Sequence, residues 1–531
     1  MRTILLSDYK VGDDRERIAL ALADAKCEPG STVVFEPRVY TLTTERSREI
    51  RRAVMSGEYG ADPEKVMFRP DFPYDRGIDL SGHDGTVLDG RGAHLLIDGF
   101  MEDISVRDCR SVTVRGFDID NTVKPYTKAV AVSASGGVVK AVLSYPVTMA
   151  TPVVRTAVYS CRRGRFIPEI CDVDHLISVE GTDCYIALKG DASEVKAGDE
   201  IYLCHTFHFR PSVLIENAKD IKIEDVTVRS HSGMGMTAFH SANISLLRFR
   251  VIPSEGEHFS TNTDATHFTS CRGELTLTDC EFEGQGDDGI NVHTYYYTPA
   301  EHDGSTVTLK IMSPTWTHTQ KMDHPLPGDR FILTDKMSLG VKDTYKVLSF
   351  TCDEDSRACT VTLDRDLPDD LSGMLFADPD ETPYLKVYNS HFRNHFARGM
   401  TLKAERCLVD GCDMTDLFEL PVKLAAEAYW HEGVACATAT FRNCRFINCG
   451  RLKYCVPRFE CGGIEVFSDS REHTTTHGDV TIEGNCIECP ECAHAVMLRD
   501  VKTVHMKDNV MISGKEPLAA DPSVKMVKNN G

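Results

Sequence analysis

Residues 261–293 read TNTDATHFTSCRGELTLTDCEFEGQGDDGINVH, and their reading decides the fold. Two polar, acid-bearing clusters, 261–267 and 284–293, flank an alternating segment, 275–282, that reads as a strand. Asp264 precedes Asp287 by 23 residues and Asp288 by 24, about the length of one coil of a β-solenoid. Clusters on successive coils would bring the three carboxylates onto one face, separated by roughly the 4.8 Å strand spacing or a little more. Taken alone, Asp287-Asp288-Gly289 reads equally well as a turn. The surrounding repeat has to decide.

That repeat is an eight-residue frame. Residues 221–228, 244–251 and 275–282 match, and the frame returns at 407–414, 439–446, 480–487 and 504–511. Positions one, three, six and eight tend to be the inward ones of a strand bent after position four. The fifth slot holds Asp225, Asp279, Gly411, Asn443, Gly484 and Asp508, residue types that tolerate the backbone angles of a bend. The sixth holds Cys280, Cys412 and Cys444, or Asn485 and Asn509. Such an internal stack accounts for much of the cysteine count without metal or disulfide.

The expected fold class is therefore all-β: a right-handed parallel β-helix with two inserted antiparallel β-barrel-like domains. Residues 1–122 are read as an N-terminal cap and the first coils. The cap is a helix started by Asp13 or Asp14 and carrying Ile18, Leu20, Leu22 and Ala25, which would cover an open sheet end. Residues 123–205 lose the frame and read as an inserted antiparallel β domain. Coils carrying the aspartates return over 206–294, a second antiparallel insertion spans 295–384, and C-terminal coils run over 385–512. The polar stretch 513–531 is expected to be a flexible tail. Residues 325–329 before a strand parallel 196–199 before 200–203, so the two insertions are expected to be alike.

Composition bounds the partners. Lys and Arg total 59 against 80 Asp and Glu among 531 residues, a net charge of −21. That argues against nucleic acid or an anionic membrane as partner and suits a neutral glycan. No window approaches the ~20 apolar residues of a membrane span, and the three-residue apolar run near the N-terminus is too short for a signal peptide. A cytoplasmic location is expected, and with it reduced thiols for the 20 cysteines. Cys486-x-x-Cys489-x-x-Cys492 is the spacing that suggests a metal, but it lacks a well-matched second pair. No metal and no cofactor are expected. A homodimer through long solenoid faces is compatible with the sequence.

The acidic clusters have a chemistry. Inverting glycoside hydrolysis needs one protonated carboxyl for the leaving oxygen and one ionised carboxyl for water, roughly 6.5–9.5 Å apart. Mutual repulsion among clustered acids raises one pKa while another group stays ionised. Asp264, Asp287 and Asp288 fit those roles. His267 and His293 follow the acids at comparable places and suit a sugar hydroxyl or an aspartate partner, though a structural histidine fits as well. Asn291 carries an amide suited to sugar hydroxyls, and Trp430 offers a flat apolar face for a pyranose ring.

At these residues a resemblance enters. The strings 263–268 (TDATHF), 271–273 (CRG) and 282–288 (FEGQGDD), ending in 291–293 (NVH), closely resemble glycoside hydrolase family 110, as do Arg210-Pro211, 231–235 (HSGMG), 397–399 (ARG) and Tyr429-Trp430-x-Glu432-Gly433. The resemblance covers most of the chain. It implies a metal-independent, exo-acting, inverting hydrolase releasing terminal α-1,3-linked galactose from oligosaccharides or glycoconjugates, of the blood group B or the linear type. It puts the essential aspartates on Asp264, Asp287 and Asp288, with Asp287 or Asp288 as acid. It also extends the substrate-binding set to Arg210, His231, Arg398 and Glu432. Family members are mostly exported, whereas a cytoplasmic chain would act on imported oligosaccharides. Gly289-Ile290 and the cysteine-rich C-terminal coils depart from the pattern, leaving substrate preference open.

Three other readings compete. A polygalacturonase-like hydrolase also uses Asn-Thr-Asp followed by Asp-Asp, but its Gly-His-Gly and Arg-Ile-Lys strings are missing here. A lyase needs a calcium site beside an Arg or Lys base, and no such cluster stands out. A non-catalytic glycan-binding solenoid would carry the acids incidentally.

Overall fold

The computed structural model describes residues 2–69, 71–168, 170–310, 325–353, 358–451 and 460–528. Two parallel ladders, of 21 and 11 strands, run from coil to coil and form a β-helix, and Glu432–Gly433 adds an antiparallel strand beside the shorter one. The eight-residue frame lies on the longer ladder. Its first position stacks in register as Ile221, Ile244, Leu275, Leu385, Cys407, Ala439, Val480 and Val504, all buried. Leu385 opens the coils expected from 385 onward and adds a copy of the frame not among the matches named above. At the bend, Asp225, Asp279, Asn443 and Asp508 take φ between 52° and 54°, a left-handed conformation open to Asp and Asn at low cost.

The sixth slot is a ladder of side chains in the core. Ser390 Oγ accepts from Cys280 N at 3.2 Å, Asn485 Oδ1 from Cys444 N at 2.9 Å, and Asn509 Oδ1 from Asn485 N at 3.0 Å. Each bond satisfies a donor that the bend takes out of the strand ladder, for about 1 kcal/mol net. Cys280, Cys412 and Cys444 fill the same slot as small apolar groups. Among the described residues the expectation of reduced thiols fails where Cys352 and Cys359 form a disulfide across two paired strands of the second insertion.

Helix α1 (Asp14–Cys27) covers the first coil, with the Asp13 carboxylate accepting from Glu16 N at 2.8 Å. It buries Ile18, Ala21, Leu22 and Ala25. Leu20, expected inside, is 42% exposed, because the inward face of a helix returns every three to four residues. Two further helices, α2 (Glu45–Ser56) and α3 (Glu64–Met67), interrupt the first coils in a region left unread in the sequence. The tail also differs from expectation. Leu518–Ala520 and Lys525–Lys528 pair in parallel with the preceding coil, because Val524 and Met526 still supply apolar side chains to the core. Residues 529–531 of that stretch lie outside the described residues.

The first insertion is a seven-stranded antiparallel half-barrel, running from Arg165–Phe166 at one edge to Ile170–Glu180 at the other. The second has six antiparallel strands, from Thr298–Asp303 to Met374–Ala377. Its ends meet where Tyr297 and Phe376 exchange both backbone hydrogen bonds, at 2.7 and 2.9 Å. Residues 311–324 and 354–357 of that insertion lie outside the described residues. Among the described residues no helix is long and apolar enough to cross a membrane.

Candidate active site

The shorter ladder positions the acids. Its central strands are β1 (Met236–Phe239), β2 (Thr266–Thr269), β3 (Ile290–Tyr295), β4 (Met400–Leu402) and β5 (Val422–Ala426). Their outward positions stack in register as Thr237, His267, Asn291, Thr401 and Lys423. The turns before the strands stack as well. Gly235 N donates to Asp264 O at 3.0 Å, Ala265 N to Asp288 O at 2.8 Å, and Gly289 N to Arg398 O at 3.0 Å. Asp264, Asp288 and Arg398 therefore occupy equivalent places on consecutive coils. The turns approach so closely that a Cβ at Gly286 would lie 2.1 Å from Asn262 O. Glycine is required there for space.

At the head of these strands lies a cavity of about 180 Å³, bordered by Asp264, Asp287 and Asp288 together with His267, Asn291, Arg398, Trp430 and Glu432. Larger clefts beside α1 and α2 lie away from these carboxyls. One oxygen from each of the three aspartates sits within 4.8 Å of the others. This is tighter than the roughly 6.5–9.5 Å between carboxyl groups that inverting hydrolases favour, so separation alone does not select inversion.

The three carboxyls have distinct environments. Asp288, 1% exposed, accepts at Oδ1 from the Arg398 backbone N at 3.0 Å. Arg398 Nε lies 2.9 Å from the same oxygen as an ion-pair contact while donating its hydrogen to Thr401 Oγ1 at 3.2 Å. At Oδ2 Asp288 accepts from Arg398 Nη2 at 3.0 Å and from Thr401 Oγ1 at 2.8 Å. Three donors and the adjacent guanidinium charge hold it in one orientation. Asp264 accepts from Asp288 N at 3.2 Å through Oδ1 and meets His267 Nδ1 at 2.7 Å through Oδ2. Burial, and then the charge of Asp288, push its pKa well above the usual carboxylate range. Asp287 keeps 21% of its side chain open. Burial raises its pKa to about 7 against the pull of the Arg155 guanidinium, with Asp264 and Asp288 adding to the rise. A carboxyl near neutrality can donate a proton at working pH.

The spacing of the trio would also let it gather on a cation. A cation there would compete with the guanidinium that holds Asp288 and the imidazole that meets Asp264. A second group, His473, Asp500 and Asp521, has similar spacing on the C-terminal coils.

A charge network forms the opposite wall. Lys403 pairs with Glu432 and, at 3.0 Å, with Glu427, which also holds Lys423 at 2.6 Å. Burial acts to raise Glu427, but Lys423 and Lys403 outweigh it and bring its pKa down to about 2. Trp430, 37% exposed, stands at the rim edge-on to Tyr429. Asp469 fixes that loop by accepting from the backbone N of Ala428 and Tyr429.

Three predicted substrate-binding residues are not at the cavity. His293 is fully buried behind His267, with Nε2 atoms 2.9 Å apart. Two residues past Asn291, it shares the outward face of β3 but is covered there, on a strand that is buried throughout. His231 is sealed in the turn before β1, where its Nδ1 accepts from Gly233 N at 3.1 Å and its Nε2 meets Met101 O at 3.3 Å. Arg210 lies over the Tyr74 ring at 4.2 Å.

Conversely, Phe207, His208, Met234, Lys403, Lys423 and Glu427 line the cavity without having been singled out. Register could have found two of them, since Lys423 continues the row through Asn291 and Thr401 and Lys403 follows β4 directly. Arg155, from the first insertion, also reaches the site. Its Nη1 lies 3.5 Å from Asp287 Oδ2, and its guanidinium covers the Phe207 ring at 4.5 Å. His208 is held by Glu64 of α3, which accepts from its Nδ1 at 3.3 Å.

No protein-family model matches the chain. Among curated proteins it is similar to "Alpha-1,3-galactosidase A" of Shewanella woodyi, 23% identical over 518 residues that cover 89% of this chain and 79% of that one. It is also similar to "Alpha-1,3-galactosidase B" of Phocaeicola vulgatus, 27% identical over 444 residues, covering 74% and 71%. By sequence, the chain is a distant relative of galactosidase-like glycoside hydrolases. Among solved structures, a family 28 exopolygalacturonase of Yersinia enterocolitica aligns over 98% of this chain and 79% of that one, with 10% identity and a TM-score of 0.39. The catalytic domain of a GH87 α-1,3-glucanase in complex with nigerose aligns over 99% and 69%, with 7% identity and a TM-score of 0.44.

Proposed function

We propose that this chain is a β-helix glycoside hydrolase with Asp287 as general acid, and with Asp264 and Asp288 orienting and deprotonating the attacking water. The observation that carries the reading is the trio itself: an accessible carboxyl with pKa near 7 beside two buried ones inside 4.8 Å. Water is the nucleophile in this reading because three donors and the Arg398 guanidinium hold the Asp288 carboxylate and weaken it as a nucleophile, while leaving it room to accept from a water. Direct attack by water inverts the anomeric configuration.

The finer reading is exo-release of terminal α-1,3-linked galactose. The cavity volume, about 180 Å³, falls below the roughly 300–1,000 Å³ of sites for drug-sized ligands. It suits one sugar ring rather than a polysaccharide strand. The similarity to the two galactosidases supports galactose as that sugar. A polygalacturonase-like hydrolase is the second reading, and the charge network disfavours it. Arg398, Lys403 and Lys423 are each already paired with a carboxylate, so a uronate would find its cations taken and a surplus of acid.

The test is product analysis on linear and fucosylated α-1,3-galactosyl oligosaccharides, with polygalacturonate in parallel. First-formed β-galactose, followed by NMR, is the expected result, and Asp287→Asn should lower turnover by about 10²–10⁴-fold. First-formed α-galactose would defeat inversion. Cleavage of polygalacturonate alone would defeat the galactosidase reading, and unchanged turnover in Asp264→Ala, Asp287→Ala and Asp288→Ala would defeat the catalytic one.

A further inference from the structure

We propose that Asp264, His267 and His293 form a proton relay whose direction is set by the Thr294 carbonyl, and that Asp264 passes the proton of the attacking water to His267 instead of holding it. The chemistry rests on the hydrolase reading above. The hydrogen-bond pattern does not.

The pattern follows from one fixed end. A backbone carbonyl can only accept, and Thr294 O lies 3.0 Å from His293 Nδ1, so that nitrogen carries a hydrogen. A neutral His293 then offers Nε2 as an acceptor. His267 Nε2 lies 2.9 Å from it, and therefore donates. The Nδ1 of a neutral His267 is left without a hydrogen, 2.7 Å from Asp264 Oδ2. For that link to be a hydrogen bond, Asp264 must supply the proton. At rest Asp264 is a carboxylic acid with its hydrogen on Oδ2, which agrees with the upward push that burial and Asp288 give its pKa. Burial likewise holds both imidazoles neutral, with pKa values lowered to about 4.

A protonated acid cannot deprotonate water unless it passes its own proton on. Asp264 Oδ1 accepts one bond, from Asp288 N at 3.2 Å, and has a second lone pair. As the water oxygen bonds to the sugar carbon, one water O–H breaks and its proton bonds to Asp264 Oδ1. The Oδ2–H breaks in the same event, and that proton bonds to His267 Nδ1. The departing sugar oxygen takes the proton of Asp287. The site gains an imidazolium and a carboxylate, so its net charge is unchanged. After product leaves, the proton returns from His267 to Asp287 by way of Asp264 and solvent. Glu432, Asp287 and Asp288 favour the imidazolium, while Lys403 opposes it, as does the neighbouring His208. The Glu432 carboxylate, 3.8 Å from His293 Nε2, stabilises charge that spreads along the relay.

Ring-¹⁵N-labelled histidine in the full chain tests the pattern directly by NMR, with His267→Gln and His293→Gln used for assignment. Between pH 5 and 8 the expected result is two neutral rings of opposite tautomer, hydrogen on Nε2 in His267 and on Nδ1 in His293. A hydrogen on His267 Nδ1 at pH 7 would make Asp264 a resting carboxylate and overturn the relay. Turnover is the second measurement. His267→Asn offers an acceptor to Asp264 but cannot take up its proton, so KM should hold while kcat falls about 10²-fold or more. A kcat near that of the parent would reduce His267 to a prop and overturn the proposal. If the unmodified chain hydrolyses nothing, the function reading fails, while the tautomers still decide the wiring.

Discussion

In the first insertion, Asp199 closes a turn by accepting from Lys196 N at 2.8 Å; in the second, Asp329 accepts from Leu326 N at 2.6 Å. The turns match to this point, and their sequences suggest as much. The second carboxylate oxygen separates them. In Asp199 it accepts from Ser160 Oγ, 3.2 Å away in the same sheet. In Asp329 the carboxylate accepts from Arg272, at 3.1 and 2.6 Å, in the strand just after β2. One turn closes on its own domain and the other is tied to the coils. The insertion without that tie sends Arg155 to the acid. Similar local sequence thus leaves an insertion's role to the long-range partner of one carboxylate.

The largest expected effect breaks the tie. Arg272, 23% exposed, faces Asp329, Glu381 and Asp378. Arg272→Ala leaves these carboxylates without their cation and should cost about 3 kcal/mol, at the low end for breaking a buried pair, read as a fall in denaturant midpoint. Burial and Asp329 already raise the Asp378 pKa to about 9 against the pull of Arg272. A carboxyl raised above its unfolded value of about 4 loses stability as pH rises between the two values. Loss of Arg272 moves the folded value higher still, so the variant's deficit should grow as pH rises past about 9, where Asp378 ionises in the parent and stays protonated in the variant. Turnover per folded molecule should change little.

Arg155→Gln probes the other insertion, and its effect should be smaller and of a different kind. Arg155 opposes the rise in the Asp287 pKa. Its loss should move the alkaline limb of the pH profile, near pH 7 in the parent, to higher pH. Turnover at the optimum should fall about tenfold, equivalent to about 1.4 kcal/mol of barrier, as the acid loses its neighbour. An unmoved limb would remove the first insertion from the chemistry and leave both as walls.

The same contrast explains what was legible in the sequence. The longer ladder announces itself because its strands span eight residues, with four inward positions and a turn-forming residue at the bend. The ladder that carries the aspartates is harder to read, since β4 has three residues, Met400, Thr401 and Leu402, too few to show a period. Asp264 and the Asp287-Asp288 pair stood out because no insertion separates their coils. Arg398, one coil further in space, follows Asp288 by 110 residues and was reached through resemblance. Lys403, Lys423 and Glu427 read as ordinary surface charges until register joined them. Arg155 and Glu64 come from elements outside the repeat, and coil arithmetic cannot place them. His231 and His293 lie off the cavity for a related reason. Spacing puts a residue on a coil, but does not open it to substrate.

The smallest expected effect sharpens the comparison at its starting point. Ser160 and Asp199 are both buried, so Ser160→Ala leaves one carboxylate oxygen short of a donor and should cost about 1 kcal/mol. The turn itself survives, because Lys196 N still donates to the other oxygen at 2.8 Å. Hydrogen exchange at Lys196 and Asp199 should rise while that of β2 and β3 stays unchanged. If Ser160→Ala instead matched Arg272→Ala in cost, the self-contained bond would be as important as the tie to the coils. The division of labour between the insertions would then have to rest on Arg155 alone.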